Sequence, residues 1–363
     1  MTPFGNINGI SKITDIRYLF NQQVHLSTSS EVAEHCFVYS LSDRADHGLQ
    51  KQCDHSHEKV CLQCENLKEV LEVIATAVEK TPFTNEDDRD EAIYLTRTAT
   101  LAIQSWKCHL LRSAHQDQAR LDVIEVLDTN TILIVNDWAM KFLPQRYRES
   151  QSDWFGKRGI SWHISVVYRR VEGTLQRQGF IHIIQSCNQD SSAVISIMQH
   201  VLLILKQGHP DINTAYFCQD NAGCYHSALT VIACQQMSAN TGITIKRIDF
   251  SDPQGGKGAA DRLAATCKAH IRAFINEGHD VLNSTDLRDA LLSHGGLEAV
   301  RVAVVDAMWE LRESTQTIIG ISKLNNFEFG VNSITCWRAY GIGCGKTVNL
   351  HTGKPTADKR ISY

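Results

Sequence analysis

The chain has 363 residues and a formal net charge of −4, with 43% hydrophobic and 21% charged residues. That balance is ordinary for a globular protein and allows a sizeable buried core in two or three domains. It holds no apolar run of about 18 residues, so no transmembrane helix is expected, and net acidity restricts any contact with nucleic acid to local basic patches.

The opening Met1-Thr-Pro-Phe-Gly lacks the basic and apolar regions of a signal peptide, so an intracellular protein is expected. In a reducing compartment the 12 cysteines read as free thiols or metal ligands rather than disulfides. Residues 1–30 are polar and weakly periodic, and residues 31–64 are rich in His and Cys. Within them Cys53-Asp-His-Ser-His-Glu-Lys-Val-Cys61-Leu-Gln-Cys64 has the spacing C-x3-H-x3-C-x2-C. Cys53, His57, Cys61 and Cys64 suit one tetrahedral structural Zn²⁺, because thiolate and imidazole are its preferred donors. His55 competes with His57, and His35, Cys36 or His47 could also take part.

Thr84 to Asn130 contains no Gly or Pro, and Ile93, Leu101, Leu110, Leu111, Leu121 and Ile124 recur at helical spacing. This predicts one long helix over 84–127, or two joined by a short break. The character then changes. Thr131-Ile-Leu-Ile-Val-Asn-Asp137 is a continuous apolar run, as in a strand buried on both faces. Further strands are predicted over 160–168, 178–185, 214–218 and 243–250, with helices over 190–207, 225–239 and 258–277. The order β-β-β-α-β-α-β-α over 130–277 predicts an α/β fold, with a mixed five-stranded sheet and flanking helices.

Asp137 and Asp220 are placed at the ends of the first and fourth strands, and Asp261 just inside the helix after the fifth. Strand ends in such sheets face a common cleft. Three converging carboxylates repel one another unless cations neutralise them, and oxygen ligands suit Mg²⁺ or Mn²⁺. Asp252, before Pro253, is the rival for the third ligand. His226 could position substrate, and Lys257 and Arg262 could meet phosphates. From 137 to 176 the chain also carries Lys141, Arg146, Arg148, Lys157, Arg158, Arg169 and Arg170 against Asp137, Glu149, Asp153 and Glu172.

Gln219-Asp-Asn-Ala-Gly-Cys-Tyr-His226 resembles the second-carboxylate motif of the DDE transposase and retroviral integrase superfamily. There a strand ends in Asp and a small-residue turn leads into a helix. Pro253-Gln-Gly-Gly-Lys-Gly-Ala-Ala-Asp261-Arg is similar to that superfamily's third motif, a Gly-rich turn opening a helix that carries Glu or Asp. The same strings resemble transposon-derived proteins of animals. The superfamily resemblance covers roughly 130–277. It implies an RNase H-like catalytic core in which Asp137, Asp220 and Asp261 hold two Mg²⁺ or Mn²⁺ ions for DNA cleavage and strand transfer. It further implies DNA partners (transposon ends and target), a homo-oligomer and a nuclear or otherwise intracellular location. The alternative is a domesticated, inactive relative that binds DNA or protein.

The resulting organisation is a zinc-binding N-terminal region over 1–83, a long helical segment over 84–129, the RNase H-like core over 130–277 and a helical and loop extension over 278–363. Gly341-Ile-Gly-Cys-Gly-Lys-Thr347 is not a P-loop, since Tyr340 stands where the first glycine is required. Trp106, Trp309 and Trp337 read as core residues rather than base-stacking platforms.

Overall fold

The computed structural model describes residues 27–251, 258–305 and 317–350. Asp252, Lys257, most of the Gly-rich turn and Trp309 fall outside them. The described chain divides into two compact units. One runs to His115 and includes Gly341–Cys344. The other comprises Gln116–Tyr340 and the residues from Gly345 on.

The first unit has helix α1 (Phe37–Leu41), helix α2 (Leu62–Lys80) and most of helix α3 (Glu86–Glu125). Only a 3-10 turn, His47–Leu49, interrupts the irregular chain between α1 and α2. Its buried apolar residues are few, chiefly Phe37, Val38, Leu41, Leu49 and Leu111. The predicted long helix is unbroken over its 40 residues, about 60 Å at 1.5 Å per residue. α2 went unpredicted. The glycines at 341–345 form a turn, not a phosphate cradle. A Cβ on Gly343 (φ +85°) would lie 2.4 Å from the Gly48 carbonyl oxygen, so only glycine fits this close approach.

The second unit is built on one nine-stranded sheet. Its strands are β1 (Thr131–Phe142), β2 (Ile160–Val171), β3 (Thr174–Ile184), β4 (Thr214–Asp220), β5 (Thr244–Ser251), β6 (Val300–Val304), β7 (Asn326–Gly330), β8 (Ser333–Trp337) and β9 (Lys346–Asn349). They lie in the order β6-β3-β2-β1-β4-β5-β7-β8-β9. β1, β2 and β3 are antiparallel neighbours, while β4 runs parallel to β1 and β5 to β4. The predicted five strands are therefore the centre of a larger sheet. The expected helical and loop extension supplies the other four: β6 joins β3, and β7–β9 extend from β5. These additions cover edges that five strands alone would leave unpaired.

Strand periodicity gives the sheet two distinct faces. Ile160, Trp162, Ile164, Val166, Ile181 and Ile183 pack against Ala259, Ala260, Ala264, Cys267 and Ile271 of helix α6 (Ala259–Asn276), with helix α7 (Ser284–Leu292) completing that layer. Small residues let α6 sit close. A Cβ on Gly179 of β3 would come within 2.7 Å of Leu263. The end of α3 and the turn after it join the same face, with Val123 and Leu127 on Leu133. The opposite face lies under helix α4 (Ser191–Gly208), while helix α5 (Ala228–Thr241) packs on α4. It carries a row of buried polar side chains: Asn136, Ser161, His163, Ser165, His182 and Gln219.

Candidate functional site

β1 does not end at Asp137. It continues to Phe142, held by β2, with Asp137 opposite Ile164. Its pairing with β4 ends at Asn136 opposite Gln219. Asp137 and Asp220 are therefore the next residues on two strands spaced about 4.8 Å apart, at the point where the pairing opens. Both alternate onto the α6 face of the sheet. Asp261 is the third residue of α6, and its Oδ2 accepts the Gly258 backbone N–H at 2.9 Å. Asp220 Oδ1 accepts the N–H of Asn221 at 2.7 Å.

The three carboxylates feel one another. Burial, followed by the charges of Asp220 and Asp261, pushes the Asp137 carboxyl up to about 7, slightly offset by a hydrogen bond from the Trp138 backbone. Among the described residues, the aspartates are not one of the groups whose ligand atoms all lie within 4.8 Å of one another. Their spread is wider, as sharing two ions about 4 Å apart permits. All three donors are hard oxygens, the class that Mg²⁺ and Mn²⁺ take.

Tyr225, in the turn after Asp220, is a component that sequence reasoning passed over. It is 1% exposed, and its hydroxyl has no hydrogen-bond partner among the described residues. Burial, then the charge of Asp137, and further those of Cys224 and Asp220, raise its pKa well above the usual phenol range. The Tyr225 ring lies 5.9 Å from that of His163, on the α4 side of the sheet, so a neutral, buried hydroxyl stands in the turn after Asp220. Its signal in the sequence was only its place five residues after Asp220. His226 instead holds the fold together. Its Nε2 lies 2.8 Å from the Leu324 carbonyl oxygen, and its ring packs on Phe250 and Phe327.

Much of the 137–176 basic stretch is engaged locally. Arg146 pairs with Asp280, Lys157 with Glu149 and Arg169 with Asp211. Arg170 donates to the carbonyls of Gly173 and Ile124. Met140 near the end of β1, and Tyr147, Trp154 and Phe155 between β1 and β2, are exposed.

The Cys/His region can hold a structural zinc, with different partners from those expected. Cys36, Cys53, His55 and His57 form one group of donors all within 4.8 Å of one another, and His35, Cys61 and Cys64 form another. The expected set of Cys53, His57, Cys61 and Cys64 is thus divided, and His55 and His57 belong together rather than competing. The physical reason is the fold of the chain. The chain around the 3-10 turn Ala33–His35 and α1 brings His35 and Cys36, both named above as possible participants, against the later segment, while His47 joins neither group. The 12 cysteines form no disulfide among the described residues.

No helix among the described residues is long and apolar enough to cross a membrane. No curated protein and no solved structure matches the chain. A family model described as a domain of unknown function, DUF8701, matches residues 116–316, starting where the second unit starts and ending after β6. Since the match spans more than half of the sequence, the chain belongs to the DUF8701 family.

Proposed function

We propose that the sheet unit is an RNase H-like core carrying a DDE-type site for two-metal DNA cleavage and strand transfer. One observation carries the reading: Asp137, Asp220 and Asp261 meet on one face of the sheet, close enough for two of them to raise the pKa of the third. The β-β-β-α-β-α-β-α order, with three antiparallel strands followed by strands parallel to the first, supports the fold assignment.

Asp137, Asp220 and Asp261 would hold Mg²⁺ or Mn²⁺. Bound there, such ions lower the pKa of an attacking water and stabilise charge on the scissile phosphate. The chain's own groups do the rest. Asp137, ionised only near neutrality, becomes a full ligand as its proton leaves. Asp261 holds the start of α6 in place through Gly258, which couples the carboxylate's position to the Gly-rich turn.

Incubation of the full chain with DNA and Mn²⁺ tests the reading. Cleavage that is lost in Asp137→Asn, Asp220→Asn and Asp261→Asn, while the variants fold and bind DNA as before, is the expected outcome. Cleavage retained in Asp261→Asn but lost in Asp252→Asn would move the third ligand. A wild-type chain that binds DNA or protein but never cleaves would favour the domesticated alternative. The local pairing of Arg146, Lys157 and Arg169 and the net charge of −4 speak for that second reading.

A further inference from the structure

We propose that the N-terminal unit binds two zinc ions, one on Cys36, Cys53, His55 and His57, and a second on His35, Cys61 and Cys64. The second keeps a coordination position that no donor among the described residues fills. This inference is independent of the DDE reading, since it concerns the other unit.

Donor number comes first. Seven Cys and His donors fall into two groups that share no member. Structural zinc takes four ligands in a tetrahedron, so one ion cannot use all seven. The adjacent residues His35 and Cys36 go to different groups, as do Cys53 and Cys61 further along. The two sites are interleaved in sequence, and each ties the 27–36 segment to the 53–64 segment.

The spacings fit the metal. With Zn–S of about 2.3 Å and Zn–N of about 2.0–2.1 Å, a tetrahedron sets S···S near 3.8 Å and S···N near 3.5 Å. Cys36 Sγ lies 3.7 Å from Cys53 Sγ and 3.5 Å from His55 Nε2. His35 Nε2 lies 3.4 Å from Cys64 Sγ. A sulfur pair at 3.7 Å is far from the 2.05 Å of a disulfide. His57 Nε2 is buried without a hydrogen-bond partner among the described residues, which is costly unless something binds it.

The fold around them needs such ties. Between α1 and α2 the chain is irregular apart from one 3-10 turn, and its apolar burial is small. Segments of this kind are commonly held by metal. At the second site, Cys61 stands at the N-cap of the 19-residue α2 and Cys64 in its first turn, and no side chain caps that helix. Lys107, held by Glu34, hydrogen-bonds Cys64 as an outer partner of its sulfur. With three donors instead of four, the second ion is the more exchangeable of the two.

Native mass spectrometry and elemental analysis of the full chain, purified with zinc, test the proposal. Two equivalents are expected in the wild type. Cys53→Ser and His35→Ala should each hold one, and the double variant none. A chelator titration should remove zinc in two steps, and the first step should be absent in His35→Ala. Thiol alkylation supplies a check that needs no variant. Cys36, Cys53, Cys61 and Cys64 should resist labelling until zinc is removed, while the exposed Cys108 and Cys344 label at once. One equivalent of zinc in the wild type overturns the proposal. So does a His35→Ala protein that keeps the full complement, or labelling of Cys61 as fast as Cys108 in the zinc-loaded chain.

Discussion

Replacing Asp137 by Asn keeps the side-chain shape and removes the charge that the site tolerates least. Burial first, and then Asp220 and Asp261, raise the Asp137 pKa from 3.8 to about 7. Below pH 4 the carboxyl is neutral in both folded and unfolded chains, so the shift costs nothing there. As pH rises from 4 to 7 the unfolded chain ionises first, and the folded state loses stability relative to it. Above 7 the loss is complete. A shift from 3.8 to about 7 corresponds to about 4 kcal/mol, and screening by solvent at this partly exposed position reduces it to about 2 kcal/mol. Without added divalent cations, Asp137→Asn should therefore be more stable than wild type by about 2 kcal/mol at pH 8 and equal to it at pH 4. Added Mg²⁺ should raise the wild type and leave the variant unmoved, because only the wild type offers all three carboxylates. Urea midpoints at the two pH values, with and without Mg²⁺ and with zinc present throughout, measure both effects. A variant no more stable than wild type at pH 8, or a Mg²⁺ effect equal in both, would refute the reasoning.

Other regions yield further expectations. Burial pushes His163 down to about 3, so it is held neutral; the stability this gives is complete above pH 6.5 and fades as pH falls toward 3. It should cost about 2 kcal/mol by pH 5, and His163→Gln should flatten that acid slope in urea titrations. Gly179→Ala places a Cβ 2.7 Å from Leu263 and 3.1 Å from Val300; overpacking of this kind should destabilise by about 1–3 kcal/mol, read as a lower melting temperature. Zinc removal should speed amide hydrogen exchange across 27–64 while β1–β5 keep their protection, since the sheet has its own core.

Legibility in the sequence followed the range of the interactions. The central strands were readable because burial on both faces makes them continuous apolar runs, as at Thr131–Val135 and Ile160–Tyr168. The helices after them announce themselves through Asp190, Gly242 and Gly258 at their ends. Asp220 and Asp261 lie at the element boundaries expected of them, at the end of β4 and in the first turn of α6, whereas Asp137 lies inside β1, which pairing with β2 carries on to Phe142. Strands β6–β9 were not, since they are only four or five residues long and owe their pairing to edges set by distant segments. The zinc ligands were half readable. Cys61 and Cys64 declare themselves as a local chelate, but their partner His35 lies 26 residues upstream of Cys61.

The architecture also explains why the carboxylates are left mutually exposed rather than paired off. β1 outruns β4, so the sheet opens beside Asp137 just where Asp220 ends its strand. Ala259, Ala260 and Ala264 let α6 descend onto β2 and β3, and its first turn carries Asp261 to the lip of that opening. The positive end of the helix partly offsets three negative groups, but a helix terminus contributes only about 0.3–1 kcal/mol at a surface and about 2 at most. The shift on Asp137, once discounted for solvent screening, corresponds to about 2 kcal/mol, and its largest cause is burial, which a helix terminus does not relieve. At a surface the helix terminus therefore offsets only part of the cluster's cost, and a proton or a cation can meet the rest. Near neutral pH the proton is only half held, since the pKa is about 7. On the proposed two-metal reading, a divalent cation would compete for the same oxygens with twice the charge, exchanging protons for metal near neutral pH.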